Sequence, residues 1–171
     1  MNQNILDKSK NIKLVATDID GVWTDSKMYY TEQGLFMKSF STYDGMAANL
    51  LLKNNFILAM LTSEYEHLDI LHTRAKKLHI QEIYTNEHNK LKRLQYLVKK
   101  YNLNSENVAY IGDDLNDLDA LKFSGLSASP LNSPILEHYK PHFITTRKGG
   151  DGAFRELAEL ILKAQNIKPT Y

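Results

Sequence analysis

The chain has 171 residues, of which 43% are hydrophobic and 24% charged, so it is long enough to bury a full core and has the composition of a soluble globular protein. Its 21 basic and 20 acidic residues nearly balance, which argues against a nucleic-acid binder or a membrane-surface binder, because both need a basic excess. The absence of cysteine excludes disulfides, thiolate metal sites and cysteine nucleophiles, and is compatible with a cytoplasmic protein.

The first eleven residues are polar and lack the apolar stretch of a signal peptide, so we expect a frayed terminus there. From residue 12 onwards, patterns typical of strands and helices alternate. The predicted strands are 12–19, 56–62, 82–85, 107–114, 126–129 and 142–145. The predicted helices are 43–55, 65–79, 89–102, 115–125 and 152–166.

This alternation predicts an α/β fold, namely a Rossmann-like three-layer αβα sandwich with a mostly parallel central sheet. Ligands of such a sheet bind outside the carboxyl ends of its strands. The sequence contains no internal repeat or linker, so we expect residues 1–171 to form a single domain. No apolar run approaches the about 18 residues that a membrane span needs.

A β-hairpin is predicted as an insertion after the first strand. It spans residues 26–41, with its turn at Glu32-Gln33-Gly34. Both faces of its strands carry apolar side chains, and a lone hairpin cannot bury two faces. The hairpin therefore either folds back onto its own domain or forms a contact between subunits.

Carboxylates follow two of the predicted strands. The first strand ends at Asp18 and Asp20, and the stretch GDDLND places Asp113, Asp114 and Asp117 after a later one. If these strands are neighbours, the carboxylates crowd one small space, and like charges that close need a cation. With oxygen ligands alone, Mg²⁺ fits best. Taken alone, the first two aspartates could equally cap a turn.

Two further residues suit a phosphate group. Thr62 ends the second buried strand, where a hydroxyl and free N–H groups near a helix start can accept a phosphate oxygen. Lys90 opens a helix after a short strand and could bring a positive charge to the same point. Each is uninformative alone, since such a threonine is usually a cap and such a lysine is usually solvated.

In the chain order DxDGxxT, LT, K and GDDxxD, these residues resemble the four motifs of the haloacid dehalogenase superfamily of phosphotransferases. The match covers nearly the whole chain. The matching residues are Asp18, Asp20 and Thr24 in the first motif, Thr62 in the second, Lys90 in the third, and Asp113, Asp114 and Asp117 in the fourth.

The resemblance implies a Mg²⁺-dependent phosphoric monoester hydrolase that forms an aspartyl phosphate. Asp18 would be the nucleophile, and Asp20 the general acid and then the general base. The metal would be held by Asp18, by Asp113 and by the backbone carbonyl of Asp20. Asp20 would thereby keep its carboxyl group free for proton transfer.

The other motif residues acquire supporting roles from the same resemblance. Thr62 and Lys90, with the metal, would neutralise charge on the transferring phosphoryl group. Asp114 and Asp117 would orient the metal and Lys90 without themselves contacting the substrate.

The segment between Thr62 and Lys90 is too short for a cap domain, so the chain resembles the capless branch of the superfamily. Its best-known members are tetrameric phosphatases of 3-deoxy-2-ulosonic acids. They act on the eight-carbon Kdo 8-phosphate of lipopolysaccharide biosynthesis, or on the nine-carbon KDN and sialic acid 9-phosphates. The stretches DGVWTD, FSTYDG, AYIGDDLND and KGGDGAFRE carry the likeness. It implies a homotetramer that is assembled through hairpin 26–41.

In this branch a neighbour's C-terminal segment helps to close the site, so we expect residues 147–171 to supply a lid loop and a helix. The stretch RKGGDGAFRE has free N–H groups and two cations that suit an anionic substrate. The glycines could instead simply turn the chain into the last helix. The candidate substrate-binding residues of this loop are Arg147, Lys148, Gly149 and Gly150.

Ser63 and Glu64 depart from the Kdo 8-phosphate phosphatases, which typically carry Gly-Arg after the second motif's hydroxyl residue. An acid there reverses the charge that faces the sugar. We therefore lean towards a nine-carbon substrate, with Ser63, Glu64 and Lys77 as binding residues beside Thr62 and Lys90, and keep Kdo 8-phosphate as the alternative. Glu64 could instead serve only the dipole of the following helix, and Lys77 could be solvated surface.

Three other functions remain open. They are a less specific phosphatase of small esters, a phosphoryl-accepting signalling domain and a catalytically inactive subunit. A signalling domain has no use for an acid at Asp20, and its acidic pair comes early in the chain rather than late. The intact motif set argues against an inactive subunit.

Overall fold

The computed structural model describes residues 3–168. The helices are α1 (Gln3–Lys10), α2 (Thr42–Lys53), α3 (Asp69–Lys77), α4 (Lys90–Lys100), α5 (Leu118–Phe123) and α6 (Ala153–Ala164). The strands are β1 (Leu14–Thr17), β2 (Tyr29–Thr31), β3 (Gly34–Met37), β4 (Ile57–Leu61), β5 (Glu82–Tyr84), β6 (Val108–Ile111), β7 (Leu126–Ser129) and β8 (Phe143–Ile144). Short 3₁₀ turns lie at Ser105–Asn107, Leu115–Asp117 and Pro134–Glu137.

A six-stranded sheet in the order β5-β4-β1-β6-β7-β8 forms the centre, and all of its neighbouring strands pair in parallel. The predicted fold class is therefore confirmed. β1 lies between β4 and β6, with Thr17 level with Met60 and Ile111 at the last paired position. The chain segments that leave these three strands consequently meet at one edge of the sheet.

The two faces of the sheet bury two separate clusters, because side chains alternate along a strand. Val15 of β1 faces the cluster that contains α2 and α6, where the rings of Trp23 and Phe154 stack at 4.6 Å. Leu14 and Ala16 face the other cluster, which contains α4 and α5. Every residue of β1 is buried between these two clusters and the neighbouring strands.

The expectation of a frayed N-terminus is wrong for the residues that the structure describes there. Helix α1 packs Ile5 and Leu6 against the core, and its end is held by α6 through Gln165, whose Nε2 donates to the carbonyls of Ser9 and Ile12. Its few apolar residues share one helical face, which suffices because α6 supplies the partner surface. Residues 1–2 of the predicted terminus and 169–171 of the predicted C-terminal segment lie outside the described residues.

Helix α3 begins four residues later than predicted. The preceding residues form a turn in which the Glu64 carboxylate accepts from the amides of Tyr65 and Glu66, and His67 adopts a positive φ of 47°. That local hydrogen bonding competes with the helix. No helix among residues 3–168 is long and apolar enough to cross a bilayer.

The predicted hairpin is present as the antiparallel pair β2–β3, outside the main sheet. Gly34 closes its turn at a φ of 105°, where a side chain would collide with the ring of His67. Leu35 is buried, whereas Tyr29, Phe36 and Met37 are exposed. Leu35 thus packs onto the body of the chain, while Tyr29, Phe36 and Met37 present apolar groups to solvent.

Candidate active site

A cavity of about 680 Å³ lies at the carboxyl edge of the sheet. It is lined by Asp18 and Asp20 after β1, residues 62–66 after β4, residues 113–116 after β6, and the start of the hairpin. The hairpin contributes Ser26, Met28 and Tyr30. The sheet topology therefore brings the first, second and fourth sequence motifs to one point, as parallel strands with a common edge require.

Lys90, the third-motif lysine, is buried beneath this cavity between two carboxylates. Its Nζ lies 2.9 Å from Asp18 Oδ1 and 2.7 Å from Asp117 Oδ1. Burial acts to lower the pKa of Lys90, but Asp18 and Asp117 together raise it above its ordinary value. The lysine is therefore a fixed cation at neutral pH.

Asp117 holds the fourth-motif loop together. Its Oδ1 accepts from Lys90 and, at 2.6 Å, from the Tyr110 hydroxyl, while its Oδ2 accepts from the amides of Asp113 and Asp114. Four donors engage this fully buried carboxylate, which satisfies both of its oxygens. The geometry suits the orienting role that the family resemblance implies for Asp117. Asp114 caps the short turn that follows through its bond from the Leu115 amide.

Asp18 and Asp113 are the carboxylates with spare oxygen capacity. Burial raises the pKa of Asp18 well above its usual range, with Asp117 adding to the shift and Lys90 opposing it. Burial likewise raises the pKa of Asp113 to about 7, again with a contribution from Asp117. Both shifts arise because negative charge is concentrated in a poorly solvated space.

The acidic cluster fits Mg²⁺. Carboxylate oxygens of Asp18, Asp113 and Asp117 lie within 4.8 Å of one another, and Asp117 is already saturated by its donors, so Asp18 and Asp113 are the side chains that would hold the ion. Gly21, at a φ of 87°, gives the Asp113 carboxylate its room, since a Cβ there would lie 1.8 Å from Asp113 Oδ2. A hard divalent cation bound by oxygen ligands is what this donor set favours.

Asp20 is engaged by a residue that sequence reasoning missed. Lys38 Nζ lies 2.8 Å from Asp20 Oδ1 and 2.7 Å from Asp20 Oδ2, and the Thr24 hydroxyl donates to Oδ1 at 3.3 Å. Lys38 directly follows β3, and its side chain is fully buried. A lysine in the apolar stretch GLFMKSF was the available signal, because a charge amid apolar residues needs a partner.

Glu64 pairs with the same lysine. Its Oε2 lies 3.3 Å from Lys38 Nζ, and its Oε1 accepts the amides of Tyr65 and Glu66. Glu64 thus lines the cavity and shares one ammonium with Asp20, and its contact with a sugar stays a prediction. Thr62 and Ser63 line the cavity beside it, and Thr62 Oγ1 accepts from the Glu64 amide.

The glycine-rich loop lies outside this cavity, and its amides are used within the chain. Gly149 N donates to Asn132 Oδ1 at 3.0 Å, and Gly150 N donates to the Val22 carbonyl at 2.9 Å. The expectation of free N–H groups at these glycines is therefore wrong. A Cβ on Gly149 would lie 1.8 Å from the Gly21 carbonyl, so the glycines allow close packing behind the first motif.

The remaining substrate-binding candidates also lie elsewhere in this chain. Arg147 donates to the Asp151 carbonyl and lies 5.8 Å from the ring centre of Tyr43, and Lys148 is exposed on the same loop. Lys77 lies on a separate groove between α3 and the end of the hairpin. Contact of these three residues with a substrate stays a prediction that needs a neighbouring subunit.

Comparison with known proteins gives consistent matches over most of the chain. A family model for haloacid dehalogenase-like hydrolases matches residues 6–134. The chain is 35% identical over 163 residues to 3-deoxy-D-manno-octulosonate 8-phosphate phosphatase KdsC of Yersinia pestis, a match that covers 95% of this chain and 86% of that protein. It is also 35% identical to KdsC of Haemophilus influenzae, over 92% of this chain and 87% of that protein.

Among solved structures, the 3-deoxy-D-manno-octulosonate 8-phosphate phosphatase of Moraxella catarrhalis, in complex with magnesium ion, phosphate ion and KDO, superposes with a TM-score of 0.91. The two sequences are 38% identical, and the match covers 97% of this chain and 94% of that one. The predicted family and the prediction of a hydrolase are confirmed. The chain belongs to the haloacid dehalogenase-like hydrolases, the family that its four motifs resemble.

Proposed function

We propose that this protein is a Mg²⁺-dependent phosphatase of a 3-deoxy-2-ulosonic acid phosphate, and that its substrate is Kdo 8-phosphate. The observation that carries the proposal is that Asp18 and Asp113 line one cavity with their carboxylates close together, while Lys90 Nζ lies 2.9 Å from Asp18 Oδ1. The relatives from Yersinia pestis and Haemophilus influenzae, and the structural neighbour from Moraxella catarrhalis, are all named for this eight-carbon substrate.

The names of these relatives weigh against the lean towards a nine-carbon substrate. It rested on the acid at Glu64, which shares the single ammonium of Lys38 with Asp20. It also rested on Lys77, which lies on a different groove of this chain. The comparisons favour the Kdo alternative, and Kdo 8-phosphate becomes the main proposal.

In the first half of the proposed reaction, an Asp18 oxygen forms a bond to phosphorus while the bond from phosphorus to the sugar oxygen breaks. The bonding electron pair leaves with the sugar oxygen, which takes a proton from Asp20. The ammonium of Lys90, 2.9 Å from Asp18, orients the nucleophile. It also offsets the charge of the phosphoryl oxygens, and Thr62 donates to them.

In the second half, Asp20 takes a proton from water, whose oxygen bonds to phosphorus as the Asp18 carboxylate leaves. When bound to Asp18, Asp113 and the Asp20 carbonyl, Mg²⁺ supplies positive charge against the phosphoryl group. Asp117 keeps Lys90 and the fourth-motif amides in place through both halves. A signalling domain would have no use for such an acid at Asp20.

A phosphate-release screen with Mg²⁺ tests the substrate. It compares kcat/KM for Kdo 8-phosphate, KDN 9-phosphate and sialic acid 9-phosphate, with a simple alkyl phosphate as the reference for a less specific enzyme. We expect Kdo 8-phosphate to exceed the nine-carbon esters by at least about tenfold, the scale of one or two lost contacts. A nine-carbon ester with the highest kcat/KM, or equal rates for all four, would contradict the proposal.

We further propose that residues 26–41 assemble a homotetramer. The hairpin exposes the apolar side chains of Tyr29, Phe36 and Met37, and apolar groups exposed on one element favour an interface. The same hairpin lines the cavity through Met28 and Tyr30, so assembly and substrate access share one element. A neighbour's residues 147–171 would then close the site that this chain's own loop leaves open.

A further inference from the structure

Lys38 is a buried cation that the proposed reaction does not yet use. It lies where the hairpin returns to the sheet, directly after β3, and its side chain is 0% exposed. Its Nζ contacts both oxygens of Asp20 and, on another side, Glu64 Oε2. The carboxylates themselves are 22% and 12% exposed, so the lysine is the most deeply buried member of the group.

Such a cation is costly to bury, and its pairing gives little net stability compared with an apolar residue of the same size. The carboxylate that it grips is the proposed acid and base of the reaction. The contact to Asp20 is two-pronged, at 2.8 and 2.7 Å, which fixes the orientation of the carboxyl plane as well as its position. This geometry points to a role in chemistry rather than in folding.

We infer that Lys38 is a positioning residue for proton transfer by Asp20. Glu64 acts through Lys38, because its carboxylate pairs with the same ammonium and helps to fix its position. The inference rests on the proposed phosphatase function. When Asp20 gives its proton to the leaving sugar oxygen, negative charge appears on the two oxygens that face Lys38 Nζ. When Asp20 later takes a proton from water, the lysine keeps the carboxylate aimed at the phosphoryl group.

The inference predicts a dependence on the leaving group. A sugar alcohol or a glycerol oxygen must be protonated as it departs, whereas p-nitrophenolate is stable without a proton. The quantity kcat/KM covers only the steps up to departure of that group, so it isolates the acid role from the later hydrolysis step. The experiment therefore compares kcat/KM for Kdo 8-phosphate, β-glycerol phosphate and p-nitrophenyl phosphate.

Lys38→Met removes the charge and keeps the length of the side chain. We expect it to lower kcat/KM for both alkyl esters by about 10- to 100-fold, a part of the usual contribution of acid catalysis. The value for p-nitrophenyl phosphate should change by less than about threefold, because that ester needs no proton donor. Lys38→Arg can bind the carboxylate with two N–H groups, so its kcat/KM for the alkyl esters should be close to that of wild type.

Glu64→Gln tests the far side of the group, and we expect the same selectivity for alkyl esters with a smaller loss. Lys92→Met is the matched control, because Lys92 is an exposed lysine on α4, and all three esters should keep their wild-type values. Circular dichroism and thermal unfolding establish that each variant is folded. If Lys38→Met fails to fold, Glu64→Gln carries the same comparison.

Three results would overturn the inference. Equal losses on all three esters would indicate general damage to the site. A loss confined to Kdo 8-phosphate would make Lys38 a contact to the sugar acid, and wild-type values throughout would remove it from the reaction. A wild-type enzyme that cleaves the other two esters but not Kdo 8-phosphate would refute the proposed substrate. The role of Lys38 would still be decided by comparing the loss of kcat/KM for β-glycerol phosphate with that for p-nitrophenyl phosphate.

Discussion

At Asp18, the proposed reactivity depends on a balance between one cation and several anions. Burial and the neighbouring carboxylates raise the pKa of Asp18, while Lys90 Nζ, at 2.9 Å, opposes that shift. A nucleophilic carboxylate must be ionised, so a divalent cation on Asp18 and Asp113 would complete the compensation that Lys90 begins. The same charges would then be available to the phosphoryl group.

We expect Asp18→Asn to lower turnover of Kdo 8-phosphate by at least about 10³-fold, because an amide cannot serve as the nucleophile. The buried site should still fold, since asparagine has nearly the same shape. Phosphate release and thermal unfolding are the measurements, with exposed Asp119→Asn on α5 as the control. Activity of the Asp18 variant above a few per cent of wild type would remove Asp18 from its proposed role.

Asp20→Asn should lower kcat by about 10²- to 10⁴-fold, the usual contribution of general acid–base catalysis. Binding of Mg²⁺ should survive, because only the backbone carbonyl of Asp20 is proposed as a ligand. Calorimetric titration of the variant with Mg²⁺ is the check. If the ion no longer binds, the side chain is a metal ligand, and its assignment as the proton carrier fails.

Residues of the site differ in how far a sequence can reveal them. Asp18, Thr62 and Asp113 follow apolar runs, and parallel strands bring such positions together whatever the connections are. Lys38 has no such anchor, because its contact with Asp20 depends on the path of the hairpin. The ion pair of Glu64 could not be predicted for the same reason, since its partner Lys38 follows the hairpin strand β3.

At the scale of elements, Asp44 of α2 joins that helix to the start of α6. Gly152, which precedes α6, has no side chain with which to cap the helix, and Asp44 supplies the carboxylate instead. Its Oδ1 accepts from Arg155 N at 2.9 Å, and its Oδ2 accepts from Gly152 N at 3.3 Å. Desolvation raises the pKa of this buried carboxyl to about 6, although the two amides oppose the shift.

That pKa gives a pH dependence of known sign. Between pH 3.8 and about 6, the folded chain binds a proton at Asp44 that the unfolded chain has released. Its contribution to the free energy of unfolding is full below pH 3.8 and is lost as the pH rises through about 6. The unfolding free energy of wild type minus that of Asp44→Asn should therefore fall by about 3 kcal/mol across this window.

Urea unfolding of both proteins at several pH values between 4 and 7 measures this difference. Asp18 and Asp113 also titrate with raised pKa values, but they are present in both proteins and cancel. A difference that stays constant with pH, or that rises, would show that the Asp44 carboxyl is not the titrating group.

Elements with strong periodicity could be predicted, and the misjudged ones depend on partners distant in the sequence. The six sheet strands and the helices after β1 follow local patterns of apolar residues. Helix α1 forms because α6, more than 140 residues later, covers its apolar face, as the contact of Gln165 with Ser9 shows by its separation of 156 residues. The glycine-rich loop packs against Gly21, which lies far away in the sequence, so no local pattern could predict where the loop lies.

For the whole molecule, the hairpin is the element whose apolar side chains a single chain does not fully bury. A two-stranded hairpin is marginal by itself, and β2–β3 buries Leu35 while exposing Phe36 on the opposite side. Phe36 is 68% exposed and lies outside the cavity lining, whereas Tyr30 belongs to that lining. A substitution at Phe36 therefore probes assembly without touching the proposed substrate space.

We expect Phe36→Asp to convert the proposed tetramer into smaller species at micromolar concentration, because it replaces an exposed apolar side chain of the proposed interface with a charge. Activity on Kdo 8-phosphate should fall by at least about tenfold, since misplacing a neighbour's closing segment costs on this scale or more. p-Nitrophenyl phosphate, which needs no closure over a sugar, should lose less. Tyr96→Asp, an exposed aromatic on α4, is the control and should change neither property. Sedimentation velocity with parallel assays decides the matter, because a monomeric wild type with full activity on the sugar acid would refute both the interface and the shared site.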